Sequence, residues 1–176
     1  LRGSMHRVQQ WMPCVDTQKF SAICPFELQV SVARDSMAIC SGNLIETSRC
    51  GYAAKERIVY TYTVKQQCFA GALSIVVGPL VALPETSTAT SAATRSTIQK
   101  TYFAPPGYVS ELAHTTQRVT GCIAMYEKYL AAPFPYNTLQ VVYVPHELLC
   151  TGMHVASSLV ILSMEYLARE IDVQVS

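Results

Sequence analysis

Ile98-Gln99-Lys100-Thr101-Tyr102-Phe103, then Pro105-Pro106-Gly107, then the run from Val109 to Ala131, then Pro133-Phe134-Pro135 and Leu139-Gln140-Val141-Val142-Tyr143-Val144 read as strand, stop, helix, stop and strand. The first run is rich in β-branched and aromatic residues, which fit a pleated surface. Pro105-Pro106 withdraws two backbone donors, and Gly107 permits a turn. Val109, Leu112, Thr116, Val119, Ile123, Tyr126 and Leu130 are then spaced by three and four, the mark of one helix face. Pro133 and Pro135 end that helix. Leu139 to Val144 is mostly apolar and predicts a buried strand, closed by Pro145.

Outward from this stretch the chain changes character. Upstream, Phe26, Leu28, Val30 and Val32 alternate with Glu27, Gln29 and Ser31 as a half-buried strand does. Met37 to Cys40 predicts a short strand before the turn residues Ser41-Gly42-Asn43. Ile58 to Val64 alternates again, and Leu73 to Val77 predicts a more buried strand that Gly78-Pro79 ends. In 84–97, eight of fourteen residues are Ser or Thr, so a polar surface loop is expected there. Downstream, Leu159 to Leu162 reads as a further short strand, and Ser163 to Ser176 as irregular chain with a turn or two of helix. The expected class is α+β. Residues 1–104 form a β-rich part and residues 105–176 a strand-helix-strand part, with the boundary near Pro105 to Gly107.

Composition narrows the function. The chain has 176 residues, 13 Lys and Arg, 12 Asp and Glu, and a net charge of +1. That is no basic footprint for nucleic acid. Charged residues make up 14%, against about 25% in ordinary soluble domains. Such sparse charge over roughly 8,500 Å² of expected surface implies that part of the surface is covered by something else. The most apolar run, Ala70 to Leu83, is broken by Gly78 and Pro79 and is too short to span a bilayer. The seven cysteines are odd in number and lie at least ten residues apart, with neither zinc-finger nor paired-thiol spacing. They read as reduced, small apolar residues of a reducing compartment.

Chemistry-bearing motifs are few. His146-Glu147-Leu148-Leu149-Cys150 approaches the H-E-x-x-H zinc motif, but Cys150 replaces the second histidine and Pro145 places the first at a strand end. No third ligand stands at helical spacing, so His146 reads as a loop histidine. No nucleophile elbow and no phosphate-cradling glycine loop is present. Arg34, Arg49, Lys55, Arg57, Lys65, Lys100, Arg118 and Lys128 are scattered, with no run of three.

Two stretches resemble the gluzincin (zinc) aminopeptidases. Trp11-Met12-Pro13-Cys14-Val15-Asp16 is similar to the W-F-P-C-x-D box of their N-terminal β-rich domain. Phe26 to Val32, Ser41-Gly42-Asn43-Leu44 and Val77-Gly78-Pro79-Leu80 follow in the family's order. Tyr126-Glu127-Lys128-Tyr129, Pro133-Phe134-Pro135-Tyr136 and Leu139 to Pro145 resemble the helix end and strand that enter the catalytic domain. The resemblance implies part of a β-rich saddle or sandwich over 1–104, with polar loop 84–97. It implies the incomplete start of an aminopeptidase-like catalytic domain over 105–176, with the zinc helix further along.

One departure governs the functional expectation. Active members carry a G-A-M-E-N loop whose glutamate binds the substrate's amino group. Here the matching run is Thr151-Gly152-Met153-His154-Val155, with His154 in the glutamate's register. An imidazole does not hold an ammonium as a carboxylate does. Asp16 is followed by Thr17-Gln18, not by Glu-x-Pro. The Ser41 to Thr47 run and Ala156-Ser157-Ser158 are similar to the aminopeptidase-like, catalytically inactive branch that serves as a subunit of the general transcription factor TFIID. That branch implies a nuclear, non-enzymatic scaffold for RNA polymerase II initiation at core promoters. Its partners would be the largest subunit and the histone-fold subunits. No catalytic, cofactor or metal residue, no membrane and no small-molecule substrate are expected, and promoter DNA would be met weakly or through other regions. The alternatives are a fragment of an active zinc-dependent aminopeptidase and an unrelated β-rich interaction module.

Overall fold

The computed structural model describes residues 11–13, 23–51, 56–85, 98–117 and 119–168. It is mixed α+β and strand-rich, with open sheets. The expected polar loop falls largely outside the described residues, as do Cys14-Val15-Asp16 of the Trp11 box and the chain from 169 onward.

The β-rich part opens with β1 (Cys24–Ala33), β2 (Met37–Cys40), β3 (Asn43–Cys50) and β4 (Arg57–Cys68). Two short strands follow, β5 (Ile75–Gly78) and β6 (Val81–Pro84). Strands β1, β4 and β3 form an antiparallel three-stranded sheet in that order. Strand β2 pairs antiparallel with β5 as a two-stranded ribbon. Then follow β7 (Gln99–Ala104), α1 (Val109–Thr116), α2 (Val119–Leu130), β8 (Thr138–Val144), β9 (Met153–Ala156) and β10 (Leu159–Ser163). A second, larger sheet has five strands in the order β6-β7-β8-β10-β9. Strands β7, β8 and β10 are mutually parallel, and β6 and β9 close the two sides antiparallel. The turn at Pro105 to Gly107 joins β7 to α1 within this sheet's parallel unit. The change from strands to helix there coexists with a sheet that takes β6 and β7 from before it and three strands from after it.

Side-chain alternation explains the layers. Tyr102, Ala104, Leu139, Val141 and Tyr143 face Leu112 of α1, with Val119 and Ile123 of α2 packed behind. Phe103, Val142, Val144, Leu159 and Ile161 face the other way, onto Ile39, Met37 and Val76 of the ribbon. The ribbon's reverse side, Ala38 and Cys40, packs on Val32, Tyr60 and Tyr62 of the three-stranded sheet. Four layers result: helices, five-stranded sheet, ribbon, three-stranded sheet. Strand β2 lies inside them, and Ala38, Ile39 and Cys40 are each 0% exposed. A four-residue strand buried on both faces must be continuously apolar, as Met37 to Cys40 is.

The single helix expected over 109–131 is two helices. Thr115 Oγ1 donates to the Glu111 carbonyl at 2.7 Å and Thr116 Oγ1 to that of Leu112 at 2.9 Å. Such back-bonding at a β-branched pair weakens and bends a helix, and α1 ends there. The inward face therefore stops early. Leu112 and Thr116 are buried and Val119 and Ile123 half-buried, but Tyr126 and Leu130 are 59% and 64% exposed. The segment read as a strand from Leu73 begins only at Ile75, after a short turn at Ala70–Ala72.

Candidate functional site

The layers are joined by a seam of small polar residues. The β2–β3 turn supplies Ser41 and Gly42, the link into β5 supplies Ser74, β8 supplies Gln140, and the β9–β10 turn supplies Ser157 and Ser158. Ser41, Gln140, Ser157 and Ser158 are all below 8% exposed. Gly42 N donates to Ser158 Oγ at 2.8 Å. Gln140 Nε2 donates to the carbonyls of Gly42 at 2.7 Å and Cys40 at 3.2 Å. Ser74 N donates to Ser41 Oγ at 3.0 Å, while Ser41 N donates to the Ser74 carbonyl at 3.0 Å. Ser157 N donates to the Ala72 carbonyl at 2.8 Å, and Gln140 N to the Ser158 carbonyl at 2.9 Å.

Backbone geometry explains the residue types. Gly42 has φ +98°, and a Cβ there would stand 2.3 Å from the Thr63 carbonyl oxygen. Only glycine adopts that conformation at that approach without strain. Ser158 has φ +57°, an unusual value for a side-chain-bearing residue. Its hydroxyl is thereby held against Gly42. Among the described residues no buried side-chain nitrogen or oxygen lacks a partner.

The Thr151 to Val155 run lies beside this seam. Gly152 is a buried turn with φ +71°, and its carbonyl accepts from Ser163 N at 2.8 Å. Met153, His154 and Val155 belong to β9, opposite Leu162, Ile161 and Val160 of β10. Sequence reading found a loop here; the signal for a strand was the alternation of Met153 and Val155 with His154 and Ala156. Met153 and Val155 are exposed, whereas His154 turns to the ribbon side of the sheet. His154 Nε2 and Ser74 Oγ share a hydrogen bond of 2.7 Å. Burial disfavours the imidazolium and pulls the His154 pKa below its ordinary value.

The other singled-out residues do not converge. His146 opens a short turn, His146–Leu148, and its Nδ1 lies 3.1 Å from Glu165 Oε2 at the surface. Cys150 is exposed, and no group of three or more potential metal ligands occurs among the described residues. Of the cations, Arg34, Arg49 and Arg57 gather at one end of the three-stranded sheet, and Lys100 lies elsewhere. Arg34 and Arg49 both approach Glu56, at 3.4 and 3.8 Å. Arg57 Nε donates to Ser31 Oγ at 2.8 Å. Lys100 is buried in the other sheet, 3.3 Å from Glu85 Oε2.

Several of the stretches that carried the resemblance meet at the seam and the adjoining end of β4. Met12 packs against Val64, Cys68 and Leu73. The Pro135 carbonyl accepts from Gln66 Nε2 at 3.2 Å, and Thr138 Oγ1 donates to Asn43 Oδ1 at 2.6 Å. Ser41-Gly42 and Ser157-Ser158 are direct partners through Gly42 N and Ser158 Oγ. Outside the seam, α2 exposes Met125, Tyr126, Tyr129 and Leu130, at i, i+1, i+4 and i+5 on one side.

No protein-family model matches the chain. It is similar to the transcription initiation factor TFIID subunit 2 of Gallus gallus, 23% identical over 179 residues that take in 97% of this chain and 13% of that protein. It is likewise similar to the TFIID subunit 2 of Danio rerio, 26% identical over 142 residues, 81% of this chain and 11% of that protein. The chain thus spans 11–13% of the length of the curated relatives it matches. No described helix is long and apolar enough to cross a membrane.

Proposed function

We propose that the chain is part of a non-enzymatic scaffold subunit of TFIID, acting in the nucleus in RNA polymerase II initiation at core promoters. The observation that carries this reading is His154. The residue in register with the aminopeptidase glutamate is an imidazole, hydrogen-bonded into the seam through Ser74. A carboxylate presented to a substrate ammonium is replaced by a neutral side chain used for structure. The active-aminopeptidase alternative needs that carboxylate and gains no support from the residues around it.

The surface agrees with a scaffold. The Met125, Tyr126, Tyr129 and Leu130 strip is the kind of apolar area that subunits bury against partners. The partners proposed are the largest TFIID subunit and the histone-fold subunits. Promoter DNA would be met weakly, because the basic residues near one another are few: Arg34, Arg49 and Arg57 share one end of a sheet with Glu56, and Lys100 is buried on a different sheet. No metal or small-molecule substrate enters the proposal.

The test uses the full-length parent protein. After affinity purification from nuclei, TATA-binding protein and its associated factors should co-purify in comparable amounts. Aminoacyl reporter substrates should be left uncleaved. Zinc near one equivalent together with zinc-dependent turnover would restore the peptidase reading.

A further inference from the structure

Widely spaced in sequence, Cys24 and Cys68 are brought face to face by the β1–β4 ladder. They are cross-strand partners at its open end, beyond a register shift between Cys24 and Phe26. From Phe26↔Val64 to Cys24↔Cys68 the ladder takes two steps on β1 and four on β4, so both cysteines keep the core-facing side of Phe26 and Val64. Cys24 is half-buried and Cys68 is 9% exposed, packed with Val64 and Leu73. Both carry free thiols.

We propose that Cys24 and Cys68 are a redox modification site that closes to a reversible cross-strand disulfide and draws Cys68 away from the seam. Directly opposed antiparallel residues have Cα atoms about 4.5–5.5 Å apart. Disulfides span Cα separations of roughly 4.4–6.8 Å, so closure needs side-chain rotation and little backbone movement. No third metal ligand stands with the pair among the described residues, which favours sulfur–sulfur chemistry over a metal site.

The oxidant is a low-molecular-weight disulfide of the glutathione class. The more accessible thiol, Cys24, loses its proton and attacks one sulfur of that disulfide. A Cys24–S–S–R bond forms, and one small thiolate leaves and takes up a proton. The Cys68 thiolate then attacks Cys24 Sγ, forms the intramolecular bond and expels the second small thiol. Two protein thiols are oxidised and one small disulfide is reduced to two thiols. Burial holds the Cys68 thiol up, so its attack is slower than that of an exposed thiol in the same position.

Closure has a structural consequence. The Ser157 side chain sits beside the Cys68 thiol, where it partly offsets the upward pull of burial on that thiol. Ser157 N is also bonded to the Ala72 carbonyl at 2.8 Å, so the β9–β10 turn is anchored beside this thiol. Turning Cys68 Sγ toward Cys24 takes the thiol away from Ser157 and loosens the turn that Ala72 anchors.

The experiment equilibrates the reduced protein in buffers of stepped oxidised-to-reduced glutathione ratio, alkylates it, and maps the cysteines by peptide mass. Expected is a linked pair of peptides holding Cys24 and Cys68, reversed by reductant. In Cys24→Ser the Cys68 thiol stays alkylatable at every ratio. Amide exchange at Ser157 should quicken in the oxidised wild type and stay unchanged in the variant. Two outcomes overturn the site: Cys24 and Cys68 both remaining alkylatable while exposed Cys50, Cys122 and Cys150 take up glutathione, or Cys24 halting at the mixed disulfide. A disulfide that leaves Ser157 exchange unaltered overturns the coupling to the seam.

Discussion

Replacing Gly42 by alanine tests the seam most directly. The added Cβ would stand 2.3 Å from the Thr63 carbonyl oxygen and 2.7 Å from Val64 Cγ2, well inside the roughly 3.5 Å at which heavy atoms touch. The nearer obstacle is backbone of β4, which is fixed by ladders to β1 and β3 and cannot swing aside. The turn must therefore lift away from β4. Three costs follow. Holding alanine at φ +98° costs about 1–2 kcal/mol. Lifting the turn stretches the bonds from Gly42 N to Ser158 and from Gln140 to the Gly42 carbonyl, at about 1 kcal/mol each. The sum is about 3–4 kcal/mol, a large part of the roughly 5–15 kcal/mol that holds a domain together. Urea unfolding followed by far-ultraviolet circular dichroism reads it, with Tm falling by about 10 °C. Ser158→Ala alone should cost about 1–2 kcal/mol by leaving Gly42 N unpaired. The double variant should be less destabilised than the two single effects added, since Gly42→Ala already breaks the shared bond. A Gly42→Ala protein within about 0.5 kcal/mol of wild type, or strict additivity with Ser158→Ala, would refute the reasoning.

Other outcomes are expected from the same geometry. Gln140→Met keeps the volume but removes the donor to two carbonyls, and equilibrium unfolding should show a loss of about 2 kcal/mol. The His154 pKa is depressed in the folded state, so its contribution is fully present above the unfolded value near 6.5 and is lost as pH falls from there through the folded pKa. In His154→Gln, stability measured from pH 7.5 to 5 should lose that part of its slope; an unchanged slope would place the titration elsewhere. Duplex DNA binding, followed by anisotropy across a salt series, should give a slope on the order of −1 to −3 in log K against log salt. Sub-micromolar binding with a steep slope would mean that the scattered cations act together.

What the sequence made legible was local. Alternation in Phe26 to Val32 and Ile58 to Val64 sufficed for β1 and β4, because period two is imposed by the backbone itself. The strand-helix-strand order around Pro105 and Pro133 was legible because proline acts on its own residue. Hidden was whatever depends on distant partners. Strand β3 escaped because all of Leu44 to Cys50 is exposed, so no buried face stamped a period on it. Tyr126 and Leu130 fit a helical face by spacing, yet spacing does not tell where the underlying sheet ends. The Cys24–Cys68 pairing depended on a register shift that no local pattern records. Of the candidate site, His154 stood out in the sequence, but its partner Ser74 belongs to a link between strands and announces nothing by itself.

The seam also accounts for how the layers find one alignment. Apolar contact between the ribbon and either sheet is non-directional and tolerates sliding. Hydrogen bonds between buried groups do not, because a one-residue slip leaves donors and acceptors unpaired at about 1–3 kcal/mol each. Ser41, Ser74, Gln140 and Ser158 place such bonds where the β2–β3 turn, the link into β5, β8 and the β9–β10 turn meet. All four elements must arrive together for all of these bonds to be satisfied. The short serine runs Ser41-Gly42 and Ser157-Ser158 therefore fix register in a fold whose cores are apolar. His154 extends that arrangement to the sheet edge: its hydrogen bond to Ser74 at 2.7 Å ties the middle of β9 to the link into β5.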